Sequence, residues 1–195
     1  MKLRNKYYMM RHGQALSNVK AVCSPWPEKF HNPLTKEGKE VVKNSVQNLS
    51  DKITKKGKKI DLIFASPLLR TQQTAKIAEK ILKANLKTDK RLREVGFGIF
   101  NARPLVGMWK FFKSEEERIN KKPEKGENYR ECLVRVLDFL KAIDKKYKGK
   151  NILIISHECP LFLLHGKFVG LSIKETIQTF PLDKRIHKGE IRELN

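Results

Sequence analysis

Apolar positions along the chain fall into two kinds of pattern. Three short continuous runs, Tyr7–Met10, Ile60–Phe64 and Ile152–Ile155, lack the polar alternation of a half-exposed strand. They read as strands of a parallel sheet buried on both faces. Longer periodic stretches lie between them. One helix is predicted from Thr35, an N-cap in "NPLTKEGKEVVKNSVQNL", and another from Ser66, with Pro67 at its first position in "SPLLRTQQTAKIAEKILKA". The third, Tyr129–Tyr147, repeats apolar residues at 133, 136, 137, 140 and 143, the stripe of an amphipathic helix. Strand alternating with helix predicts an α/β domain with a mostly parallel sheet. Residues 97–128 fit neither period and read as a small insertion above that sheet.

The ends of the runs carry the chemistry. Open α/β sheets bind ligands beyond the carboxyl ends of their strands. Arg11 and His12 follow the first run, Ser66 to Arg70 the second and His157 the third, so two arginines and two histidines converge on one rim. Forked guanidiniums suit a compact dianion, phosphate above all. The helix predicted at Ser66 would add backbone N–H donors and its positive dipole end. An imidazole kept neutral by adjacent arginines can attack phosphorus. Glu94, beside Val95 and Phe97, is the candidate proton donor because burial there would raise its pKa. The sequence has no Walker-type glycine loop and no carboxylate cluster suited to magnesium, so no metal and no cofactor are expected.

Composition narrows the setting. Lys and Arg outnumber Asp and Glu by 42 to 21, a formal net charge of +21. Such a surface attracts polyanions. The basic residues are spread along the chain, however, and a nucleic-acid partner is not favoured over a small phosphorylated substrate. Cys23, Cys132 and Cys159 are odd in number and show no metal-type spacing, as expected of free thiols. Neither a signal peptide nor a membrane span is legible, and a cytoplasmic protein is expected. Oligomeric state is not readable. His31, His165 and His187 are assigned to surface or packing roles, and Trp109, Phe111 and Phe112 to the core. Trp26, just after the first loop, is the expected wall of the substrate cleft.

The motifs then acquire a context. "RHG" at 11–13 with Asn18, "NPLTKEG" at 32–38, "SPLLRTQQTA" at 66–75, "LREVGFG" at 92–98, "PEKGENYRECLVRV" at 123–136 and "ISHE" at 155–158 occur in the order found in the histidine phosphatase superfamily, the phosphoglycerate mutase-like group, which the whole chain resembles. The resemblance implies a three-layer α/β/α sandwich, a single domain over 1–195 with a cap at about 97–128. It also implies a phosphohistidine on His12, with Glu94 as acid and then base. Arg11, Arg70 and His157 would hold the phosphoryl oxygens, and Asn18 and Gly13 would complete the substrate contacts. Glu158 stands where that group commonly has glycine; it is expected to repel substrate, orient His157 or point away. Asn128 replaces a frequent serine, and Phe100, Asn101 and Ala102 replace the usual cap residues. Because Val95, Gly96 and Phe97 follow Glu94, a phosphomonoesterase is expected ahead of a mutase-type phosphotransferase. A catalytically weak fold that binds polyanions is the alternative of another class.

Overall fold

The computed structural model describes residues 2–195. Five strands form one sheet: β1 (Lys6–Arg11), β2 (Leu62–Ala65), β3 (Asn85–Thr88), β4 (Asn151–Ser156) and β5 (Ile191–Glu193), in the order β3-β2-β4-β1-β5. All pairings are parallel except β1 with β5. The helices are α1 (Leu16–Val19), α2 (Lys36–Thr54), α3 (Leu69–Leu82), α4 (Leu105–Phe111), α5 (Tyr129–Lys146), α6 (Glu158–Phe168) and α7 (Ile173–Thr179).

Side chains alternate across each strand, which is why continuous apolar runs were needed. Tyr8, Met10, Ile63 and Ile155 face one way and bury Val42, Val46 and Leu49 of α2 with Ala75 and Ala78 of α3. Tyr7, Met9, Phe64 and Ile154 face the other way, against Val136, Phe139 and Leu140 of α5 and Phe162 of α6. The α/β/α layering is therefore the one the sequence resemblance implies.

Several local readings shift. The second strand begins at Leu62; Ile60 is buried just before it. The helix expected from Ser66 is shifted by two residues, with Leu68 as its N-cap and no side-chain cap bond. The Ser66 hydroxyl is held by the His157 ring at 2.8 Å instead of capping the helix. Strands β3 and β5 escape prediction because they are short, half-exposed edge strands without an apolar run. Helix α6 escapes because Cys159–Leu164 is buried all round and shows no amphipathic period.

Thr35 caps α2 as expected, and Asn128 caps α5. Thr35 Oγ1 accepts from the Gly38 N–H at 2.9 Å, and Asn128 exchanges bonds with Glu131 in a capping box. Residues 97–128 hold α4 and two 3-10 turns, Gly98–Phe100 and Glu115–Ile119. They bury a small cluster of their own, Met108 and Phe112 with Cys23.

Candidate active site

Register builds the site. Arg11 pairs with Ser156 across β1 and β4, so the next residues, His12 and His157, emerge side by side with ring centroids 5.1 Å apart. Ala65 pairs with Ile155 on the other side of β4, which brings Ser66 to the same rim.

Arg70, 3% exposed, is the hub. Its Nε donates to His12 Nε2 at 3.1 Å and its Nη2 reaches His157 Nδ1 at 3.0 Å and the Ser24 carbonyl at 2.9 Å. Guanidinium only donates, so both contacted ring nitrogens are unprotonated. The remaining His12 proton sits on Nδ1 and is donated to the Gly13 carbonyl at 2.7 Å. The remaining His157 proton is on Nε2 and goes to Ser66 Oγ at 2.8 Å. Burial first, then Arg70, holds both imidazoles well below their ordinary pKa of 6.5, with Arg11 adding to the effect. Burial also pulls Arg70 down to about 10, which leaves it charged at neutral pH.

Glu94 is buried beside the same cleft, with Oε1 accepting from the Val95 N–H at 2.9 Å. Burial raises its pKa above 4.5 against the opposing pull of the Val95 N–H and Arg70. Its loop is fixed from behind. Arg135 of α5 donates to the carbonyls of Arg91 at 2.6 Å, Arg93 at 2.8 Å and Glu94 at 3.1 Å, while ion-paired to Glu127 at 2.8 Å. Glu127 also accepts from the Gly96 N–H and from Arg93. The "PEKGENYRECLVRV" stretch thus serves as the clamp that aims Glu94.

The cleft has a volume of about 360 Å³ and is lined by Arg11, His12, Asn18, Arg70, Glu94 and Glu158 among others. Asn18 Oδ1 accepts from the Ala15 N–H, which turns its amide nitrogen free. Arg11 Nε is buried with no partner among the described residues, an orphaned donor of the kind an anion would satisfy.

Five expected placements change. Trp26 is 49% exposed and outside the cleft; the indole in the wall is Trp109, which was assigned to core. His157, expected to hold phosphoryl oxygens, is fully buried, and its Nδ1 accepts from Arg70. Of the backbone N–H donors expected at the second helix, that of Leu69 is taken by Glu28 at 2.7 Å, and the same carboxylate pairs with Arg70 at 3.4 Å. Glu158 neither contacts His157 nor points away, since its carboxylate lies 2.6 Å from Arg11 Nη1 and 3.4 Å from Arg185 Nη1. Gly13, expected at the substrate, is required by packing: a Cβ there would stand 2.5 Å from the Gly38 carbonyl oxygen of α2. That approach also explains Gly38 in "NPLTKEG", whose own Cβ would meet the Gln14 carbonyl at 2.2 Å.

Sequence reasoning missed Glu28, Ser66 in its hydroxyl role, Arg118, Arg185 and Lys188. Ser66 and Glu28 lie inside or next to recognised stretches. Arg118 and Lys188 carry no local signal, because only the tertiary fold brings them to the cleft. Among the described residues, no group of three or more His, Cys, Asp or Glu side chains is placed to hold a metal ion, and no helix is long and apolar enough to cross a membrane.

Comparison with known proteins fits this geometry. The family model described as histidine phosphatase superfamily (branch 1) matches residues 7–185. A probable phosphoglycerate mutase GpmB of Photorhabdus laumondii is 28% identical over 173 residues, 84% of this chain and 74% of that protein. Its Yersinia pestis counterpart is 29% identical over 174 residues, with the same coverage. In fold, the chain is similar to the alpha-ribazole phosphatase of Shigella flexneri, with a TM-score of 0.78, 24% identity, and coverage of 96% of this chain and 89% of that one. It is likewise similar to a mycobacterial glucosyl-3-phosphoglycerate phosphatase, with a TM-score of 0.79 at 15% identity, covering 96% and 91%. A match over nearly the whole chain, on a phosphoglycerate mutase-like α/β fold, places this protein in the histidine phosphatase superfamily, branch 1.

Proposed function

We propose that the chain is a metal-independent phosphomonoesterase that acts on a small phosphorylated metabolite through a phosphohistidine on His12. The observation that carries this reading is the His12 tautomer. Its Nδ1–H is tied to the Gly13 carbonyl, which leaves Nε2 unprotonated at the cleft; the hydrogen bond that Nε2 now accepts from Arg70 Nε passes to the phosphoryl group when substrate enters, freeing the lone pair for attack.

In the first step His12 Nε2 forms a bond to phosphorus as the ester P–O bond breaks, and protonated Glu94 gives its proton to the departing alkoxide. In the second, Glu94 as carboxylate takes a proton from water as that water attacks phosphorus and the N–P bond breaks. Arg11 and Arg70 neutralise the transferring phosphoryl group. His157, bonded to both Arg70 and Ser66, keeps Arg70 in place.

A second reading, a mutase-type phosphotransferase, is favoured by the names of the 28–29% identical relatives. The two differ in whether water or a second alcohol removes the phosphoryl group.

The test is phosphate release from a panel of phosphomonoesters in EDTA, wild type against His12→Ala, with acid-labile phosphohistidine trapped by quenching. Release that vanishes in the variant supports the proposal. Isomerised phosphoester in place of free phosphate supports the phosphotransferase. Equal inertness of both proteins, with salt-sensitive DNA or RNA binding, would favour the polyanion-binding alternative.

A further inference from the structure

Along the chain the basic residues look scattered, but the sheet gathers a set of them. Strands β2, β4 and β1 lie side by side and parallel, so the segments that lead into them meet at one end of the sheet. Those segments are "KKGKKID" at 55–61, "KKYKGKN" at 145–151 and "KLRNK" at 2–6. Backbone contacts lace them together. The Lys59 carbonyl accepts from Asn151 Nδ2 at 2.9 Å, the Asp61 N–H donates to the Asn151 carbonyl at 2.8 Å, and the Gly149 N–H donates to the Arg4 carbonyl at 3.0 Å. Of their nineteen residues eleven are Lys or Arg, and one, Asp61, is acidic.

Little at this end offsets the charge. Among the described residues, two of the eleven are ion-paired, Lys6 with Glu193 at 3.1 Å and Lys150 with Asp61 at 3.7 Å. Asp144 is buried and spent on the Arg4 N–H, the Asn5 amide and the Tyr7 hydroxyl. Basic residues at a helix C-terminus complement its dipole, which accounts for Lys145 and Lys146 of α5. That effect fades beyond the last turn, yet the exposed charge runs on through Lys58, Lys59 and Lys148. Like charges packed together in this way work against the compact state until a counter-charge meets them.

The chemistry of the face selects its partner. Within the three segments no large apolar or aromatic side chain stands free: Ile60 is buried, Leu3 packs on the core, and Tyr147 is half-buried with its hydroxyl held by Lys87 at 2.9 Å. The guanidinium of Arg4 is held by the Lys145 carbonyl at 3.0 Å. Stable attachment to a bilayer takes an apolar anchor besides a basic patch, and reading bases takes forked or stacking side chains. Ammonium groups without either suit a phosphodiester backbone, whose condensed counterions they release. We infer that the amino-terminal ends of β1, β4 and β2 form a docking surface for double-stranded nucleic acid, bound through its phosphates without regard to sequence. Strand β4 has six residues, so the catalytic rim lies about 20 Å away, at the other end of the same strands. The inference therefore stands apart from the phosphomonoesterase reading: the polymer is a tether, and the cleft stays open to small substrates.

The test is fluorescence anisotropy with short DNA and RNA duplexes that end in hydroxyls, with inorganic phosphate present to occupy the catalytic cleft. Wild type should bind both, and affinity should fall about a hundredfold between about 50 and 200 mM salt, the slope of about four phosphate contacts. The variant Lys55→Gln/Lys56→Gln/Lys58→Gln/Lys59→Gln should bind about tenfold more weakly at low salt and show a slope flatter by about two or more. A control, Lys36→Gln/Lys39→Gln/Lys43→Gln/Lys113→Gln, removes the same charge away from the face and should change affinity less than about threefold. All eight side chains are exposed, so both variants should fold; if the first does not, Lys58→Gln/Lys148→Gln carries the test with a slope change of about two. Failure of both duplexes to bind, equal losses in the two quadruple variants, or a preference for phosphatidylserine vesicles over either duplex would overturn the inference. Hydrolysis of p-nitrophenyl phosphate, expected unchanged in the first variant, reports the phosphomonoesterase reading separately.

Discussion

Glu158 Oε2 lies 2.6 Å from Arg11 Nη1, so the carboxylate that follows the second histidine is spent on the arginine that precedes the first. The Ile186 carbonyl takes the same Nη1 at 3.2 Å. Behind Glu158, Arg185 is paired to Glu115, which in turn accepts from the Tyr129 hydroxyl at 2.7 Å. A charge that would oppose phosphate as an isolated group becomes the clamp that aims Arg11.

That arrangement predicts two separable effects. Glu158→Ala frees the Arg11 guanidinium and should lower kcat about tenfold or more, as small misplacements of phosphoryl-binding groups do. Glu158→Gln keeps a hydrogen-bond acceptor while removing a negative charge from the cleft. It should recover most of kcat and tighten competitive inhibition by inorganic phosphate. Equal behaviour of the two variants in a kcat and inhibition series would remove the positioning role.

The pH profile follows from opposite shifts. His12 must be neutral to attack, and its pKa is held well below 6.5, so attack persists into weakly acid solution and fails only as pH falls through that lowered value. Glu94 must be protonated to act as acid, and its pKa is raised above 4.5, so turnover of alkyl phosphates declines as pH rises through that raised value. The optimum should lie between those two limits. Steady-state kcat/KM, which reports the first step alone, measured against pH checks this; a kcat/KM profile rising steadily to alkaline pH would contradict the assignment of Glu94 as acid.

Glu94→Gln sharpens the same point. General acid catalysis contributes about 10² to 10⁴ in rate. The loss should be of that order for alkyl phosphates and much smaller in the first step for p-nitrophenyl phosphate, whose leaving group needs no proton. With the base for the second step also gone, phosphohistidine should accumulate and be visible by phosphorus NMR. Equal losses for both substrates would assign Glu94 to binding instead.

How much of this was legible in the sequence depends on the length scale of the cause. Arg11, His12, Arg70, Glu94 and His157 could be placed together because each follows or flanks a recognisable strand or helix. The direction of their contacts could not. Ser66 looked like a helix cap, yet its hydroxyl is drawn to His157 from across the sheet, and the helix begins at Leu69. Glu28 is anonymous between Pro27 and Lys29, but folding lays it on the helix start and Arg70. Trp26 and Trp109 are equivalent as letters; only the packing of residues 97–128 decides that the second one reaches the cleft. Long-range burial of this kind has no local periodicity to announce it.

The clamp on the Glu94 loop gives a fourth expectation. Arg135→Met removes donors to three carbonyls and leaves Glu127 with Arg93 as its remaining cation. Breaking a largely buried pair of this kind costs on the order of 3 kcal/mol. Thermal unfolding should show that loss. Any surviving activity should fall more for alkyl phosphates than for p-nitrophenyl phosphate, because the displaced group is the proton donor. An unchanged ratio between the two substrates would make the clamp a matter of stability alone.

The glycine contact between the first loop and α2 yields a prediction about coupling. Gly13→Ala would place a methyl 2.5 Å from the Gly38 carbonyl oxygen and 2.7 Å from a Val42 methyl, and Gly38→Ala would place one 2.2 Å from the Gln14 carbonyl. Backbone atoms cannot give way as a flexible side-chain tip can, so each substitution should cost about 1–3 kcal/mol by forcing loop and helix apart. The His12 ring leans on the Gly13 carbonyl, so the same displacement should lower kcat as well as stability. Once the loop has lifted, the second methyl meets a gap already opened. The double variant should therefore be less damaged than the sum of the singles, a coupling of more than 0.5 kcal/mol in chemical denaturation. Strict additivity would mean that the two glycines answer to separate constraints and that the loop does not move as one body against α2.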